Sequence, residues 1–378
     1  MTDEQIGAVT VLGAGTMGRG IAGAVALAGY EVTMRDIDHE ILETGYRAIE
    51  DTLSRLDGAE PVDTVIDRID TTVELDASCA RTDLVIEAAP EDLEIKRTVF
   101  SELEAAAPAD AILASNTSTL RITDIAAAVE RPDRVVGLHF FNPPLKMDLV
   151  EVVAGDRSAP AVVDTATAFV RSLEKTPILV ETDVPGFVVN NVLGPYMHEA
   201  ATRVSTDSAT IEGIDAAMVH DGGYPMGPFE LTDLIGLDVV YHRSTTAGDS
   251  IPSIVSEKLD AGELGRKSGV GFYRYDDGDG PTYTPDDAAS FDPIELEAVL
   301  VNEAATLIDR DVADAETIDE GLRIGGGFPV GPCRRGDEIG LDRVVDVLEE
   351  RLERTGDDRY EPADTVRDFA AAGVGFYD

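Results

Sequence analysis

Two side chains set inside apolar runs are able to move a proton. His139, one of five histidines, follows Val135-Val136-Gly137-Leu138, and Glu151 interrupts Leu149-Val150-Glu151-Val152-Val153. A carboxylate in such a run is costly to bury unless it is paired. A neighbouring imidazole is its natural partner, because the carboxylate fixes the ring tautomer and stabilises the protonated ring. A pair of this kind serves as general base in one direction and general acid in the other. A histidine at a strand end is by itself more often structural; the glutamate is what changes that weighting. Ser118, in Ser115-Asn116-Thr117-Ser118, follows a further apolar run and adds a hydroxyl.

A second constellation binds rather than reacts. Gly13-Ala14-Gly15-Thr16-Met17-Gly18 fits G-x-G-x-x-G, with the apolar run Val9-Thr10-Val11-Leu12 before it and an Ala-rich segment from Gly18 to Gly29 after it. The glycines permit a tight turn and close backbone approach to a pyrophosphate on the helix N-terminus. Asp36 ends the next strand-like run, 18 residues after Gly18. A carboxylate there accepts from ribose hydroxyls and repels a 2′-phosphate, which selects NAD over NADP. Arg35 beside it leaves a small opening for NADP. FAD uses the same fingerprint, but nothing further along the chain suggests a flavin fold. No cluster with metal-ligand spacing is present.

These residues need a scaffold that delivers several strand ends to one crevice. Strand candidates are Val9–Leu12, Glu31–Met34, Leu84–Ile86, Ala111–Ala114, Val135–Leu138 and Leu149–Val153, separated by helical segments. That alternation predicts a parallel α/β sheet, with ligands at the carboxyl ends of the strands. After Asp183-Val184-Pro185-Gly186 the pattern changes to helices broken by Gly/Pro turns. The second half then repeats itself at a constant offset of 104 residues. Glu199-Ala200-Ala201-Thr202 returns as Glu303-Ala304-Ala305-Thr306, Ile214-Asp215 as Ile318-Asp319, and Gly222-Gly223-Tyr224-Pro225 as Gly326-Gly327-Phe328-Pro329. Gly269-Val270-Gly271-Phe272-Tyr273 returns as Gly373-Val374-Gly375-Phe376-Tyr377. The period far exceeds that of stacked solenoid repeats, so a duplicated domain is expected. The expected fold is a Rossmann-type doubly wound α/β domain (1–183) followed by two tandem all-α domains (184–283 and 284–378).

Over residues 6–283 the sequence resembles the L-3-hydroxyacyl-CoA dehydrogenase family. The motifs that carry the resemblance are the fingerprint with Met17, Glu87-Ala88 and Glu91, Ala114-Ser115-Asn116-Thr117-Ser118, and Leu138-His139-Phe140-Phe141-Asn142-Pro143. Val150-Glu151-Val152, Pro185-Gly186-Phe187-Val188-Val189-Asn190 and Gly223-Tyr224-Pro225-Met226-Gly227-Pro228-Phe229-Glu230-Leu231 continue it. The resemblance implies oxidation of (S)-3-hydroxyacyl-CoA to 3-oxoacyl-CoA with NAD⁺, in fatty-acid β-oxidation or short-chain acyl-CoA metabolism. It makes His139 the general base, Glu151 its orienting partner, Ser118 a hydrogen-bond donor to the reacting oxygen, and Asn190 a support for the substrate carbonyl. It places Asn142 near nicotinamide and substrate, and adds Glu91, Lys96 and Lys267 to the cofactor contacts of Gly13, Gly15, Thr16, Met17, Gly18, Asp36 and Ser118.

The chain departs from the family pattern in three places. Asn191 stands where the family usually carries Arg. The hairpin over residues 39–70, Lys-rich in relatives, holds no lysine and only Arg47, Arg55 and Arg68. Thr52 falls where relatives place a small hydroxyl facing CoA, and Arg55 is the candidate replacement for a phosphate-binding lysine. In the second helical copy Cys333-Arg334 replaces Phe229-Glu230, so that copy is expected to be non-catalytic and to pack on the first as an internal pseudo-dimer. A monomer or a weak homo-oligomer would follow. The rival activities are an L-gulonate-type dehydrogenase of the same superfamily and a crystallin-like descendant without turnover.

Composition narrows the partners. With 74 acidic against 30 basic residues the net charge is −44, and only five of the cations are lysines. Nucleic acid and anionic membrane surfaces are thereby excluded as partners, since both are held through Lys and Arg. Such a charge repels itself unless salt screens it, which points to a haloarchaeal or other high-salt cell. The acidic Met1-Thr2-Asp3-Glu4 lacks the basic start of a signal peptide, and the two cysteines, Cys79 and Cys333, suit a reducing cytoplasm. No crotonase-type hydratase segment is visible, so a separate enoyl-CoA hydratase is the expected pathway neighbour.

Overall fold

The computed structural model describes residues 6–56, 60–206, 209–242, 244, 250–275, 280–281 and 283–378. The acidic N-terminal tetrapeptide, on which the expectation of no signal peptide rests, lies outside them. The chain divides into two compact units, Met1–Val188 and Val189–Asp378.

The first unit is built on one eight-stranded sheet. Its strands are β1 (Ala8–Leu12), β2 (Glu31–Arg35), β3 (Ile69–Thr72), β4 (Leu84–Glu87), β5 (Ile112–Ser115), β6 (Val135–Phe140), β7 (Leu149–Val153) and β8 (Thr176–Val180). They lie in the order β3-β2-β1-β4-β5-β6-β7-β8, whose first six positions give the 3-2-1-4-5-6 order of doubly wound dinucleotide folds. The central strands are buried at every position from β4 to β7, as strands covered on both faces must be. The helices Thr16–Leu27 and His39–Leu53 help cover it. Leu42, Ile49 and Leu53 form the inward stripe of the second of these and join the sheet core.

Two strands escaped the sequence reading, and one pairing differs from it. β3 has a single buried residue, Ile69, and otherwise reads Asp-Thr-Thr. β8 carries Pro177, which an edge strand tolerates because it need not donate on its open side. The sheet is not wholly parallel: β6 and β7 are antiparallel. The connection 141–148 is too short for the crossover of a dozen or more residues that a parallel return requires.

The second unit is helical, and its two sequence copies use the same internal scaffold. Asp215 accepts from the Phe229 and Glu230 N–H groups at 3.0 Å each and from the Tyr273 hydroxyl at 2.8 Å. Asp319 accepts from Cys333 N–H at 2.8 Å, Arg334 N–H at 2.9 Å and the Tyr377 hydroxyl at 2.8 Å. Asp233 and Asp337 likewise hold the N–H groups of Phe272-Tyr273 and Phe376-Tyr377. The leading helices of the copies, Val189–Thr206 and Ile294–Asp309, pack on each other. Tyr224 meets its own counterpart Phe328 edge-on, with ring centroids 4.9 Å apart. Glu199, from the first copy, accepts from Arg351 at 3.2 Å and Tyr360 at 2.5 Å, both from the second.

Candidate active site

The pairing of β6 with β7 sets His139 directly opposite Glu151. Opposed residues of antiparallel strands have their Cβ atoms about 5 Å apart, so an imidazole and a carboxylate there must meet. Nδ1 of His139 lies 2.6 Å from Oε2 of Glu151. The other carboxylate oxygen accepts the Val188 N–H at 3.0 Å. Glu151 is fully buried and His139 is 6% exposed. The Phe141 and Phe187 rings flank the imidazole at 4.6 and 5.7 Å. With Nδ1 committed to the carboxylate, Nε2 is the nitrogen left for proton exchange.

Ser118 is placed by a carboxylate that arrives from the loop after β4. Oε1 of Glu91 accepts from the Ser118 and Thr119 N–H groups, each at 3.0 Å, and from the hydroxyls of Thr117 and Thr119 at 2.6 and 2.8 Å. Burial pushes the Glu91 carboxyl up, but the Lys96 ammonium and these hydrogen bonds outweigh it and hold the group below the usual carboxylate range. The resemblance made Lys96 a cofactor contact; in the structure this side chain is sealed at 1% exposure. Its ammonium lies 2.6 Å from Glu87 and 3.5 Å from Glu91. Lys96 therefore supports Glu91 from below.

Glu87 was given no role from the sequence, yet it anchors this cluster. Fully buried at the end of β4, it also accepts from the Ser115 hydroxyl and the Ala89 N–H, each at 2.6 Å. The signal was present: Lys96 shares a helix face with the buried Phe100 and Leu103. A lysine at that position requires a buried carboxylate partner.

At the head of β1 the glycine-rich turn has the expected form. Gly13 has φ +96°, and a Cβ on Gly18 would stand 1.8 Å from the Gly13 carbonyl oxygen. A Cβ on Gly15 would meet nothing within 4 Å. Gly13 and Gly18 are thus required by the protein itself, whereas the space over Gly15 is an open cradle at the N-terminus of Thr16–Leu27 that a diphosphate fits. Asp36 accepts the Ala14 N–H at 2.8 Å and so ties the turn to the end of β2. Gly18→Ala is expected to displace the turn and raise the NADH dissociation constant at least tenfold, measured by fluorescence titration.

Thr16, Thr52 and Asn142 line one cleft of about 130 Å³. Arg55 is not brought to it; its side chain is 80% exposed and sits 4.0 Å from Asp51 on its own helix. Asn190 and Lys267 belong to the second unit. Asn190 is the second residue of Val189–Thr206, and Lys267 pairs with Asp238.

A doubly wound sheet, a glycine-rich turn heading its first helix and a buried His–Glu pair at a strand end form the architecture of a dinucleotide-dependent dehydrogenase. The model for the 3-hydroxyacyl-CoA dehydrogenase NAD binding domain matches residues 8–184. The model for the C-terminal domain of the same family matches 186–275 and again 296–375. The chain belongs to the 3-hydroxyacyl-CoA dehydrogenase family. It is 35% identical to the fatty acid oxidation complex subunit alpha of Psychrobacter sp. over 99% of its own length and 56% of that protein. It is 31% identical to 3-hydroxyadipyl-CoA dehydrogenase of Escherichia coli, covering 97% of this chain and 98% of the relative. The solved structure of 3-hydroxybutyryl-CoA dehydrogenase from Escherichia coli superposes with TM-score 0.89 at 29% identity, covering 97% and 99% of the two chains. The chain spans about half the length of the fatty acid oxidation subunits it matches.

Proposed function

We propose that this protein oxidises (S)-3-hydroxyacyl-CoA thioesters reversibly to 3-oxoacyl-CoA with NAD⁺. The observation that carries the reading is the buried His139–Glu151 hydrogen bond of 2.6 Å. NAD, held over Gly15 with Asp36 toward its ribose, supplies the hydride acceptor when bound. Nε2 of His139 takes the proton of the 3-hydroxyl as that oxygen becomes a carbonyl, and returns it in reduction. Glu151 keeps Nδ1 protonated and offsets the charge that the ring gains. Ser118, fixed through Glu91, donates to the reacting oxygen. Relatives named for 3-hydroxyadipyl-CoA and 3-hydroxybutyryl-CoA support an acyl-CoA substrate. NADH consumption with acetoacetyl-CoA and longer 3-oxoacyl-CoA, and NADH formation from NAD⁺ with free sugar acids, test the reading. Turnover of sugar acids alone would point to a gulonate-type dehydrogenase, and none with any substrate to a non-catalytic descendant.

The shared Asp215 and Asp319 scaffolds and the Tyr224–Phe328 contact support a further part of the reading. Two domains, 184–283 and 284–378, pair as an internal pseudo-dimer, and only the first serves catalysis. A monomer, or at most a weak oligomer, follows. No helix among the described residues is long and apolar enough to cross a membrane, in keeping with a cytoplasmic enzyme. The charge of −44 supports a salt-adapted one. Raising KCl from about 0.1 to about 1 M shortens the Debye length from about 10 to about 3 Å. The melting temperature should rise with it, and a flat or falling temperature would reject salt adaptation.

A further inference from the structure

We propose that Arg19 and Lys146 form the phosphate-binding wall of the cleft beside Thr52 and hold the nucleotide end of a coenzyme A thioester. The proposal rests on the acyl-CoA reading above. The hairpin's arginines each face a carboxylate. Of its arginines, Arg47 is paired with Glu43 at 3.1 Å, Arg55 leans on Asp51 at 4.0 Å, and Arg68 is clamped by Glu60 at 2.7 Å.

The cleft gathers its cations from two other elements. Arg19 sits in the first turn of Thr16–Leu27, and Lys146 in the segment that follows β6. Gly20 and Gly23 bring the two together. A Cβ on Gly20 would lie 2.7 Å from Cδ of Pro144, and one on Gly23 would lie 3.3 Å from Cδ1 of Leu145. The segment therefore rests directly on the helix, and Lys146 opens onto the same cleft as Arg19.

The charge balance of the cleft is the reverse of the rest of the chain. Acidic residues outnumber basic ones 74 to 30, yet among the described residues lining this cleft there is no Asp or Glu. Neither Arg19 nor Lys146 forms an ion pair among the described residues. Two uncompensated cations facing a cleft free of carboxylates attract an anion. The Thr52 hydroxyl in the same lining can donate a hydrogen bond to a phosphate oxygen. A guanidinium can take a phosphate bidentately, and an ammonium serves as a point charge beside it. Coenzyme A carries both a diphosphate and a 3′-phosphate at its nucleotide end.

The test compares binding of coenzyme A with binding of pantetheine, which lacks the nucleotide, by calorimetry on the full chain. Arg19→Ala and Lys146→Ala should each weaken coenzyme A about tenfold, as expected for loss of a charge-assisted contact. Pantetheine and NADH affinities should stay within twofold, and Arg19→Lys should recover part of the loss. In turnover, KM for acetoacetyl-CoA should rise while kcat, and KM for the acetoacetyl N-acetylcysteamine thioester, hold. Unchanged coenzyme A affinity in both variants would overturn the proposal. A loss of NADH affinity instead would overturn it too, by assigning the cations to the dinucleotide pyrophosphate. If the wild-type chain binds coenzyme A through these residues but turns over neither thioester, the catalytic reading falls and the binding site stands.

Discussion

His139→Gln should lower the rate of acetoacetyl-CoA reduction by about 10²–10⁴-fold, the usual contribution of a positioned general acid. The NADH dissociation constant should stay within about twofold, because the turn at Gly13–Gly18 and Asp36, proposed above to hold the dinucleotide, is formed without this ring. An amide has similar size and can still donate to Glu151, so the carboxylate keeps a partner besides the Val188 N–H. The melting temperature should therefore change little. What the amide cannot do is carry a proton to the reacting oxygen. A variant with near-normal turnover would mean that another group does the proton transfer.

Ending the chain at residue 283 should produce a species that dimerises or aggregates. Val189–Thr206 buries Val192, Leu193, Tyr196, Met197 and Ala200, and part of that face is covered by Ile294–Asp309. Large apolar side chains returned to water cost roughly 1.5–3 kcal/mol each. Glu199 would lose Arg351 and Tyr360 and stand as a buried carboxylate with fewer partners, a costly change. The surface left bare is one that an equivalent copy complements, because residues related by the 104-residue offset meet each other there, as Tyr224 meets Phe328. Sedimentation velocity on the truncated chain reads the outcome. A stable monomer would contradict the pseudo-dimer.

The site was legible where buried chemistry leaves a mark in an apolar run. Glu151 inside a five-residue apolar strand asked for a partner, and His139 was the nearest ring that strand pairing could supply. The second helical copy was legible because Asp319, Gly331 and Gly340 repeat residues that the backbone itself needs. Asp319 caps N–H groups, a Cβ at Gly331 would collide with the Asp319 carboxyl, and Gly340 has φ +92°. β3 and β8 were missed because edge strands need few apolar residues. The antiparallel turn from β6 to β7 was missed although the length of 141–148 gave it away. Lys96 lies on the helix face of Phe100 and Leu103, where its ammonium pairs with Glu87 and Glu91. Arg19 and Lys146 could not be singled out in advance, since a cleft made from a helix, a hairpin and a distant loop has no adjacency in sequence.

The central claim is that His139 and Glu151 work as one unit. A double-mutant cycle with His139→Gln and Glu151→Gln, scored as kcat/KM for acetoacetyl-CoA reduction, tests it most directly. Each single variant should be impaired, and the double should be no slower than His139→Gln alone, since the carboxylate acts only through the ring. Losses that simply multiply would show the two side chains acting separately and would contradict the mechanism.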